Sequence, residues 1–271
     1  MTAHLYLVAA GSLAGRGPGD VIDLDGDEGH HAATVKRARV GEELLVADGV
    51  GVLARGVIES VGPGSPQKMG RVAGGESPRR RGAVVRVRIA VVGPVSVPGP
   101  RFVLAQALAK GGRDELAVET ATELGVDEIL PWQAARSIVS WRGDRGSRSR
   151  AKWQSTARAA AKQSRRALIP HVAAALTTAG LVERTRVAAA TLVLHEDATL
   201  PLPLVQLPTD GDVLVVVGPE GGIDPDELRA LTDAGAMVVR LGPEVLRAST
   251  AGPAALAVLC ARTRWRAPGC G

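Results

Sequence analysis

The strongest constraint on the fold is a change in hydrophobic pattern close to residue 97. Before this point, short segments such as residues 84–92 alternate apolar and polar residues, and Gly, Pro and Asp-Gly signals separate them. Beyond it, apolar runs such as residues 213–218 are continuous and lie between helical segments. Alternation is typical of strands with one exposed face, whereas continuous runs are typical of parallel strands buried on both faces. The chain is therefore predicted to be α/β in class, with a small β-rich barrel domain at residues 1–97 and an α/β domain at residues 98–271.

Local signals place the linker and the helix ends. Residues 93–100 contain two Gly and three Pro, which marks the domain boundary. Asp224 precedes a Pro at the first helical position and a Glu three residues later, the pattern of a capped helix start. Ser249 or Thr250 is predicted to cap the final helix. The other predicted elements are helices at residues 113–124, 147–168 and 177–186, and an exposed loop at residues 62–82 that carries Arg79, Arg80 and Arg81.

Composition excludes several classes of function. The chain has only two Cys, so we predict no disulfide framework. It has no cluster of His, Cys, Asp or Glu at metal-ligand spacing, so we predict no metal site. Aromatic residues make up only 2% of the chain, which argues against base-stacking platforms. GxGxxG and GxxxxGK[ST] motifs are absent, which argues against a dinucleotide-binding Rossmann domain and against a P-loop nucleotide-binding domain. No apolar run approaches the roughly 20 residues of a membrane span, and we expect a cytoplasmic protein with no membrane partner.

Three segments follow predicted parallel strands, and ligands bind beyond the carboxyl ends of such strands. Residues 218–222 are rich in glycine, which lets main chain approach a ligand, although a tight strand-to-helix turn explains the same residues. Residues 241–250 form an irregular segment that contains Arg247. Residues 194–197 include His195, and a lone His at such a place is more often a hydrogen-bonded structural residue than a ligand or base. These segments predict a pocket suited to an adenosine-bearing cofactor.

Positive charge is concentrated in one part of the chain. Residues 142–166 contain nine Lys or Arg against Asp144, a net +8 in 25 residues, whereas the whole chain carries +5. A solvated helix face is the alternative explanation, but an uncompensated charge of this size favours contact with phosphates. Residues 29–39 form a second, smaller basic segment that includes Lys36 and Arg37. A single RNA is predicted to contact both segments.

Several short motifs together resemble those of a known family. They are His30-His31 with residues 35–37 and 41–44, Gln106 with residues 110–111, residues 123–125, Arg136-Ser137, residues 160–166 with Pro170, residues 218–222, and residues 241–243 with 246–247 and 250–251. The last two motifs are specific as a pair, whereas each alone is weak. Over nearly its whole length the chain is similar to the SPOUT-superfamily methyltransferases that modify N3 of a uridine in 16S ribosomal RNA.

The resemblance implies an N-terminal PUA-like, RNA-binding β-barrel and a C-terminal SPOUT methyltransferase domain. The chain of the second domain would form a deep trefoil knot, an exception to the rule that protein chains avoid knots. The resemblance also implies a homodimer, S-adenosylmethionine as cofactor, and 16S rRNA of the small ribosomal subunit as partner. The cofactor-binding residues that it implies are Leu194, His195, Gly218, Pro219, Gly221, Gly222, Leu241, Gly242 and Leu246. Glu244 and Ser249 depart from the Arg and Glu that many members carry there.

The chemistry of the implied reaction suggests roles for two residues. Methylation of a uracil ring nitrogen requires loss of the N3 proton and stabilisation of the charge that spreads onto the carbonyl oxygens. Arg247 is predicted to stabilise that charge, with a salt bridge to Glu220 as its alternative role. Glu220 is predicted either to accept the proton or to hold the glycine-rich loop. The residues predicted to contact RNA are Lys36, Arg37, Arg136, Arg165 and Arg166.

Two other functions remain open from the sequence. One is a related knotted methyltransferase that acts on transfer RNA or on ribose 2′-hydroxyls. The other is a non-catalytic RNA-binding dimer that retains the cofactor fold for dimerisation.

Overall fold

The computed structural model describes residues 3–63 and 83–265. The chain divides into two compact units, Met1–Ser96 and Val97–Gly271. The predicted loop at residues 62–82 lies almost wholly outside the described residues, and so do Arg79, Arg80 and Arg81.

The first unit is built on a five-stranded sheet in the order β1-β3-β4-β5-β2. Strands β1 and β3 are parallel, and the other pairs are antiparallel. Its elements are β1 (Leu5–Leu7), β2 (Val21–Leu24), α1 (Gly26–His30) with a π-helical turn (His31–Val35), β3 (Glu43–Ala47), β4 (Val52–Pro63) and β5 (Ala83–Pro94). The helical stretch after β2 was not predicted, because its small and polar residues show no helical periodicity. Its buried core includes Tyr6, Ile22, Val46, Ile58 and Val87.

The second unit contains a parallel sheet in the order β11-β13-β10-β12-β6-β7-β8, with β9 also pairing with β7. Every pair in this sheet is parallel, which confirms the prediction from the continuous apolar runs. Its strands are β6 (Arg101–Ala107), β7 (Glu128–Gln133), β8 (His171–Val172), β9 (Leu176–Thr177), β10 (Ala190–Leu194), β11 (Leu200–Pro201), β12 (Asp212–Val217) and β13 (Met237–Arg240).

Helices cover both faces of this sheet. The helices are α2 (Arg113–Glu123), α3 (Gly143–Gln163), α4 (Thr178–Val187), α5 (Pro225–Asp233) and α6 (Ala248–Arg262). On one face, Leu104 of the sheet belongs to a buried cluster with Trp153 of α3 and Leu256 of α6. On the other face, Val103 packs in a cluster with Leu181 of α4 and Leu231 of α5. Among the described residues, no helix is both long and apolar enough to cross a bilayer.

Two predicted helix starts have different outcomes. The capping box at α5 is confirmed, since the Asp224 side chain accepts from main chain of the first turn and the Glu227 side chain accepts from the Asp224 amide. The predicted cap of α6 is wrong, because Arg247 occupies the N-cap position and Ser249 lies buried within the first turn. Helix α3 runs from residue 143 to 163 rather than from 147 to 168. It ends early because Arg165 adopts a left-handed backbone conformation.

Candidate cofactor and RNA site

The three loops singled out in the sequence come together at one edge of the parallel sheet. Strands β13, β10 and β12 are neighbours in that order, and all three run in the same direction. The segments that follow them, residues 194–197, 218–224 and 241–247, therefore leave the sheet at its carboxyl edge. This edge is where open parallel sheets bind ligands.

The glycine-rich loop after β12 needs glycine at two positions, for different reasons. A Cβ atom added to Gly218 would lie 2.6 Å from Cγ1 of Ile223. Gly222 has φ of +75°, a left-handed conformation that favours glycine, and its amide donates to the Pro219 carbonyl at 2.9 Å. The loop is thus a tight turn with its main chain close to the surface. This geometry agrees both with a ligand-binding loop and with a simple strand-to-helix turn.

Two arginines outside the glycine-rich loop hold it in place. Arg113 Nη1 donates to Glu220 Oε1 at 3.1 Å, and Arg136 donates to the Gly221 carbonyl at 3.2 Å and to Asp224 at 3.3 Å. The predicted salt bridge between Arg247 and Glu220 is therefore wrong, because Arg113 occupies that carboxylate. Sequence reasoning missed Arg113, since only the strand order places the loop after β6 beside the loop after β12.

The last loop leaves main-chain groups and apolar side chains open. Among the described residues, none accepts a hydrogen bond from the amides of residues 242 and 244–246. Val245 and Leu246 are 77% and 38% exposed although they are apolar. The Arg247 side chain is exposed and forms no hydrogen bond or ion pair within the described part of the chain. Open amides beside aliphatic side chains suit a flat heterocycle with polar edges.

His195 has a structural role in this arrangement. Its amide donates to the Val239 carbonyl at 3.0 Å, and its Nδ1 accepts from the Asp197 amide at 3.2 Å. The proton of the neutral ring then lies on Nε2. His195 thus holds the start of the loop after β10 through both its amide and its ring, and the half-buried Leu194 is the last residue of β10.

One buried polar atom beside the site lacks a partner. Gln106, the residue before the end of β6, lies opposite Val217 of β12 and is fully buried. Its Nε2 donates to the Ala107 carbonyl at 3.3 Å, but Oε1 has no hydrogen-bond partner among the described residues. Buried polar atoms are rarely left without a partner, and exceptions cluster where a ligand or water completes them.

The residues predicted to contact RNA fall into two groups. Lys36, Arg37 and Arg165 are exposed. Arg166 instead donates to the Thr122 carbonyl at 2.6 Å, and burial lowers the pKa of its guanidinium. Arg136 is exposed but bonds to the glycine-rich loop as described above. The exposed set is therefore smaller than the sequence predicts.

Helix α3 presents part of its charge to solvent. Arg150 donates twice to the Val172 carbonyl, at 3.0 and 2.9 Å, and Lys152 Nζ lies 2.5 Å from Glu115 Oε1. Its exposed arginines are Arg145, Arg148 and Arg158, and the exposed Arg142 precedes it. These exposed arginines are available to an anionic partner.

Two arginines of the predicted RNA-binding set have an uncommon backbone conformation. Arg37 (φ +52°) and Arg165 (φ +59°) are the only residues other than glycine with positive φ among those described. Arg165 follows the end of α3, where the Arg166 amide donates to the Ala161 carbonyl in a Schellman motif that usually has Gly at this position. A side chain kept at a strained position points to a function of that side chain.

Comparison with family models assigns the class of the protein. Residues 97–260 match the family described as RNA methyltransferase domain, which is more than half of the chain. Residues 24–67 match the family described as RNA methyltransferase PUA domain. The chain is thus an RNA methyltransferase in class.

Similar proteins narrow the class. The chain is 49% identical over 254 residues to the protein named ribosomal RNA small subunit methyltransferase E from Mycobacterium tuberculosis, covering 92% of this chain and 90% of that one. A methyltransferase structure from Legionella pneumophila in complex with SAM is 29% identical, with a TM-score of 0.74 and coverage of 97% of this chain and 98% of that one. The ribosomal RNA small subunit methyltransferase E structure from Neisseria gonorrhoeae, 21% identical, shares the fold, with a TM-score of 0.76 and coverage of 98% and 100%. The chain therefore belongs to the family of ribosomal RNA small subunit methyltransferases E.

Proposed function

We propose that this chain transfers a methyl group from S-adenosylmethionine to N3 of a uridine in 16S ribosomal RNA of the small ribosomal subunit. The observation that carries the proposal is the meeting of three open loops at the carboxyl edge of the sheet, in a chain 49% identical to a ribosomal RNA small subunit methyltransferase E. Exposed arginines on α3 and the strained Arg37 and Arg165 support an RNA substrate.

The residues at the carboxyl edge fit S-adenosylmethionine. The open amides after β13 match the polar edge of an adenine, and the exposed Leu246 and half-buried Leu194 match its faces. Gly218 and Gly222 keep side chains away from the loop after β12. When bound, the cofactor supplies a methyl group on a sulfonium centre. The residues proposed to hold it are Leu194, His195, Gly218, Pro219, Gly221, Gly222, Leu241, Gly242 and Leu246.

The protein has to position the uracil and stabilise its anion. Arg247 is exposed next to the cofactor loops and has no partner among the described residues, so its guanidinium is free to stabilise negative charge on a uracil carbonyl oxygen. Glu220 is held by Arg113 at 3.1 Å. We assign Glu220 the positioning of the glycine-rich loop in preference to proton transfer.

The path of the C-terminal segment supports a trefoil knot. Strand β13 lies beyond β10 in the sheet, yet α6 returns to pack in one cluster with Leu104 of β6 and Val215 of β12. Arg262 of α6 donates to the carbonyls of Leu202 and Val205, which belong to the connection between β10 and β12. If the C-terminal segment with α6 passes through the loop formed by the connection between β10 and β12, the chain is knotted.

The remaining assignments concern the two units and the assembly. The first unit, taken as residues 1–97, would be a PUA-like barrel that binds RNA through Lys36 and Arg37. The second, residues 98–271, would be the SPOUT methyltransferase domain. A homodimer in the cytoplasm is part of the same proposal.

The activity is tested by transfer of labelled methyl to assembled small subunits and to naked 16S rRNA, followed by nucleoside analysis. The expected product is N3-methyluridine. A 2′-O-methylated nucleoside, or labelling of transfer RNA alone, would instead support the related knotted methyltransferases. A titration with S-adenosylmethionine that shows no saturable heat would support the non-catalytic RNA-binding dimer.

The strained Arg165 yields a prediction with two opposite effects. Arg165→Gly is expected to raise the free energy of unfolding by about 0.5–1 kcal/mol, because glycine removes the left-handed penalty but adds entropy to the unfolded chain. The same change is expected to reduce the slope of log K for RNA binding against log salt by roughly 0.7–0.9, because one phosphate contact is lost. Urea unfolding and salt titrations measure the two effects.

Arg165→Ala is the matched control for this prediction. It removes the charge but keeps the strain, so the slope should fall as for glycine without a gain in stability. An unchanged slope in both variants would remove Arg165 from the RNA interface.

A further inference from the structure

A cavity in the second unit has no role in the function described so far. Its volume is about 490 Å³, and it lies between the start of α2 and the segment that joins β7 to α3. This is within the size range of small-molecule sites in proteins. The residues that matter for its chemistry are Lys110, Asp114, Ile138, Trp141 and Arg145.

Both walls of the cavity are connected to the glycine-rich loop. Arg113, at the start of α2, bonds to Glu220 at 3.1 Å. Arg136, in the segment after β7, bonds to the Gly221 carbonyl at 3.2 Å. The two segments that line the cavity are therefore each bonded, through a residue outside the lining, to the loop proposed to hold the cofactor.

The charge of the lining favours an anion. Lys110 and Arg145 form no ion pair or side-chain hydrogen bond with any described residue. Two acidic residues also line the cavity, but the Glu115 carboxylate lies 2.5 Å from Lys152 Nζ, and burial raises the pKa of Asp114, which disfavours its charged form. Lys110 and Arg145 can therefore both donate charge-assisted hydrogen bonds to a phosphate group.

The rest of the lining suits a nucleobase. Trp141 is half-buried, with its ring centroid 4.9 Å from that of Trp153, and Ile138 is 67% exposed although it is apolar. Such surfaces stack on the face of an unpaired base. Asp114 is buried, and its carboxyl group accepts from the Glu115 amide at 2.9 Å and interacts with the Ala109 amide. A carboxylate in a base pocket accepts the ring N–H of uracil or guanine, which cytosine and adenine lack.

We propose that this cavity binds a nucleotide of the substrate RNA that flanks the methylated uridine, with its phosphate between Lys110 and Arg145 and its base against Trp141. Asp114 would select a base that carries a ring N–H. The proposal rests on the proposed function for the identity of the RNA, but the site itself is measured by nucleotide binding without any methyl transfer.

The test uses uridine 5′-monophosphate as the probe and tryptophan fluorescence of the full chain as the readout. Saturable quenching is expected in the wild type, and Trp141→Phe should remove most of it. The double variant Lys110→Gln and Arg145→Gln should weaken binding of the nucleotide at least tenfold and leave the weaker binding of uridine unchanged. Arg229→Gln, an exposed arginine on α5 outside the cavity, is the matched control.

Base selection is tested with cytidine 5′-monophosphate. The wild type should prefer the uridine nucleotide, and Asp114→Asn should abolish that preference with little loss of phosphate-dependent affinity. Equal affinities for the two nucleotides in the wild type would contradict the role of Asp114. Displacement by inorganic phosphate as effective as displacement by the nucleotide would overturn the proposal, because it would show an anion site only.

Methylation kinetics separate this inference from the proposed function. The double variant is expected to raise KM for RNA at least tenfold and to change kcat by less than about threefold. Wild-type kinetics in that variant would refute the flanking-nucleotide site and leave the activity intact. A wild type that binds the nucleotide through Lys110 and Arg145 but methylates no RNA would refute the activity and leave the site intact.

Discussion

Arg247→Ala is expected to lower the single-turnover rate of methyl transfer by about 100- to 1,000-fold, the loss typical of removing one donor that stabilises a developing oxyanion. The affinity for S-adenosylmethionine should change less than about threefold, since the cofactor is proposed to contact the main chain of this loop. Stability should be unchanged, because Arg247 is the N-cap of α6 without a side-chain capping bond. Rapid-quench kinetics at saturating cofactor and calorimetric titration measure the two quantities.

Arg229→Ala is a suitable control for Arg247→Ala. Arg229 is an exposed arginine of α5 and pairs only with Asp226 of its own helix. This variant should retain wild-type kinetics. If Arg247→Ala lowers turnover and cofactor affinity by the same factor, Arg247 binds the cofactor or supports the loop, and its proposed role in stabilising the uracil anion is refuted.

Arg264→Met is expected to destabilise the second unit by about 3–5 kcal/mol, because it leaves the buried carboxylate of Asp127 without its ion-pair partner. The Arg264 and Asp127 side chains are only 8% and 11% exposed, and Nη2 of Arg264 lies 2.5 Å from Oδ2 of Asp127. Arg264 also donates to the carbonyls of Gly125 and Pro100, and its guanidinium lies 4.4 Å from the centroid of Phe102. Urea unfolding followed by tryptophan fluorescence measures the loss, since all four Trp belong to the second unit.

Two further variants show whether the effect of Arg264→Met comes from the unpaired carboxylate. Adding Asp127→Asn to Arg264→Met should recover part of the lost stability, because it removes the buried charge. Arg186→Met breaks an exposed pair with Glu183 within α4 and should cost less than about 0.5 kcal/mol. A loss below about 1 kcal/mol in Arg264→Met would mean that water or a rearranged side chain replaces the arginine.

Local features of the fold were predictable because they depend on neighbouring residues. The capping box at Asp224 requires only residues within one helical turn, and it forms as expected. Strand β12 is a continuous run of apolar residues, which has to be buried on both faces. A parallel sheet covered by helices was therefore predictable from this run alone. The cap of α6 was mispredicted because the prediction used only the preference of Ser for N-cap positions. In the structure Ser249 is buried within the first turn, and its position depends on tertiary packing.

The roles of individual arginines were less predictable. Arg165 and Arg166 are adjacent in a basic stretch, yet one is exposed in a left-handed conformation and the other donates to the Thr122 carbonyl. In the sequence the two residues cannot be told apart, because both are arginines in the same basic stretch. The turn after α3 points the two side chains in different directions, and that turn depends on how the helix end packs.

The sequence by itself determined the α/β class, the change of pattern near residue 97, the concentration of charge in residues 142–166 and the family motifs, because each is a property of consecutive residues. Only the tertiary structure decided which distant residues share a site. The loop after β6 lies beside the loop after β12 through a strand order that differs from chain order, and this brings Arg113 to Glu220. The packing of α2 against the segment between β7 and α3 likewise brings Lys110 and Arg145 to one cavity. Strand order arises from long-range packing of buried apolar faces, which no local pattern encodes.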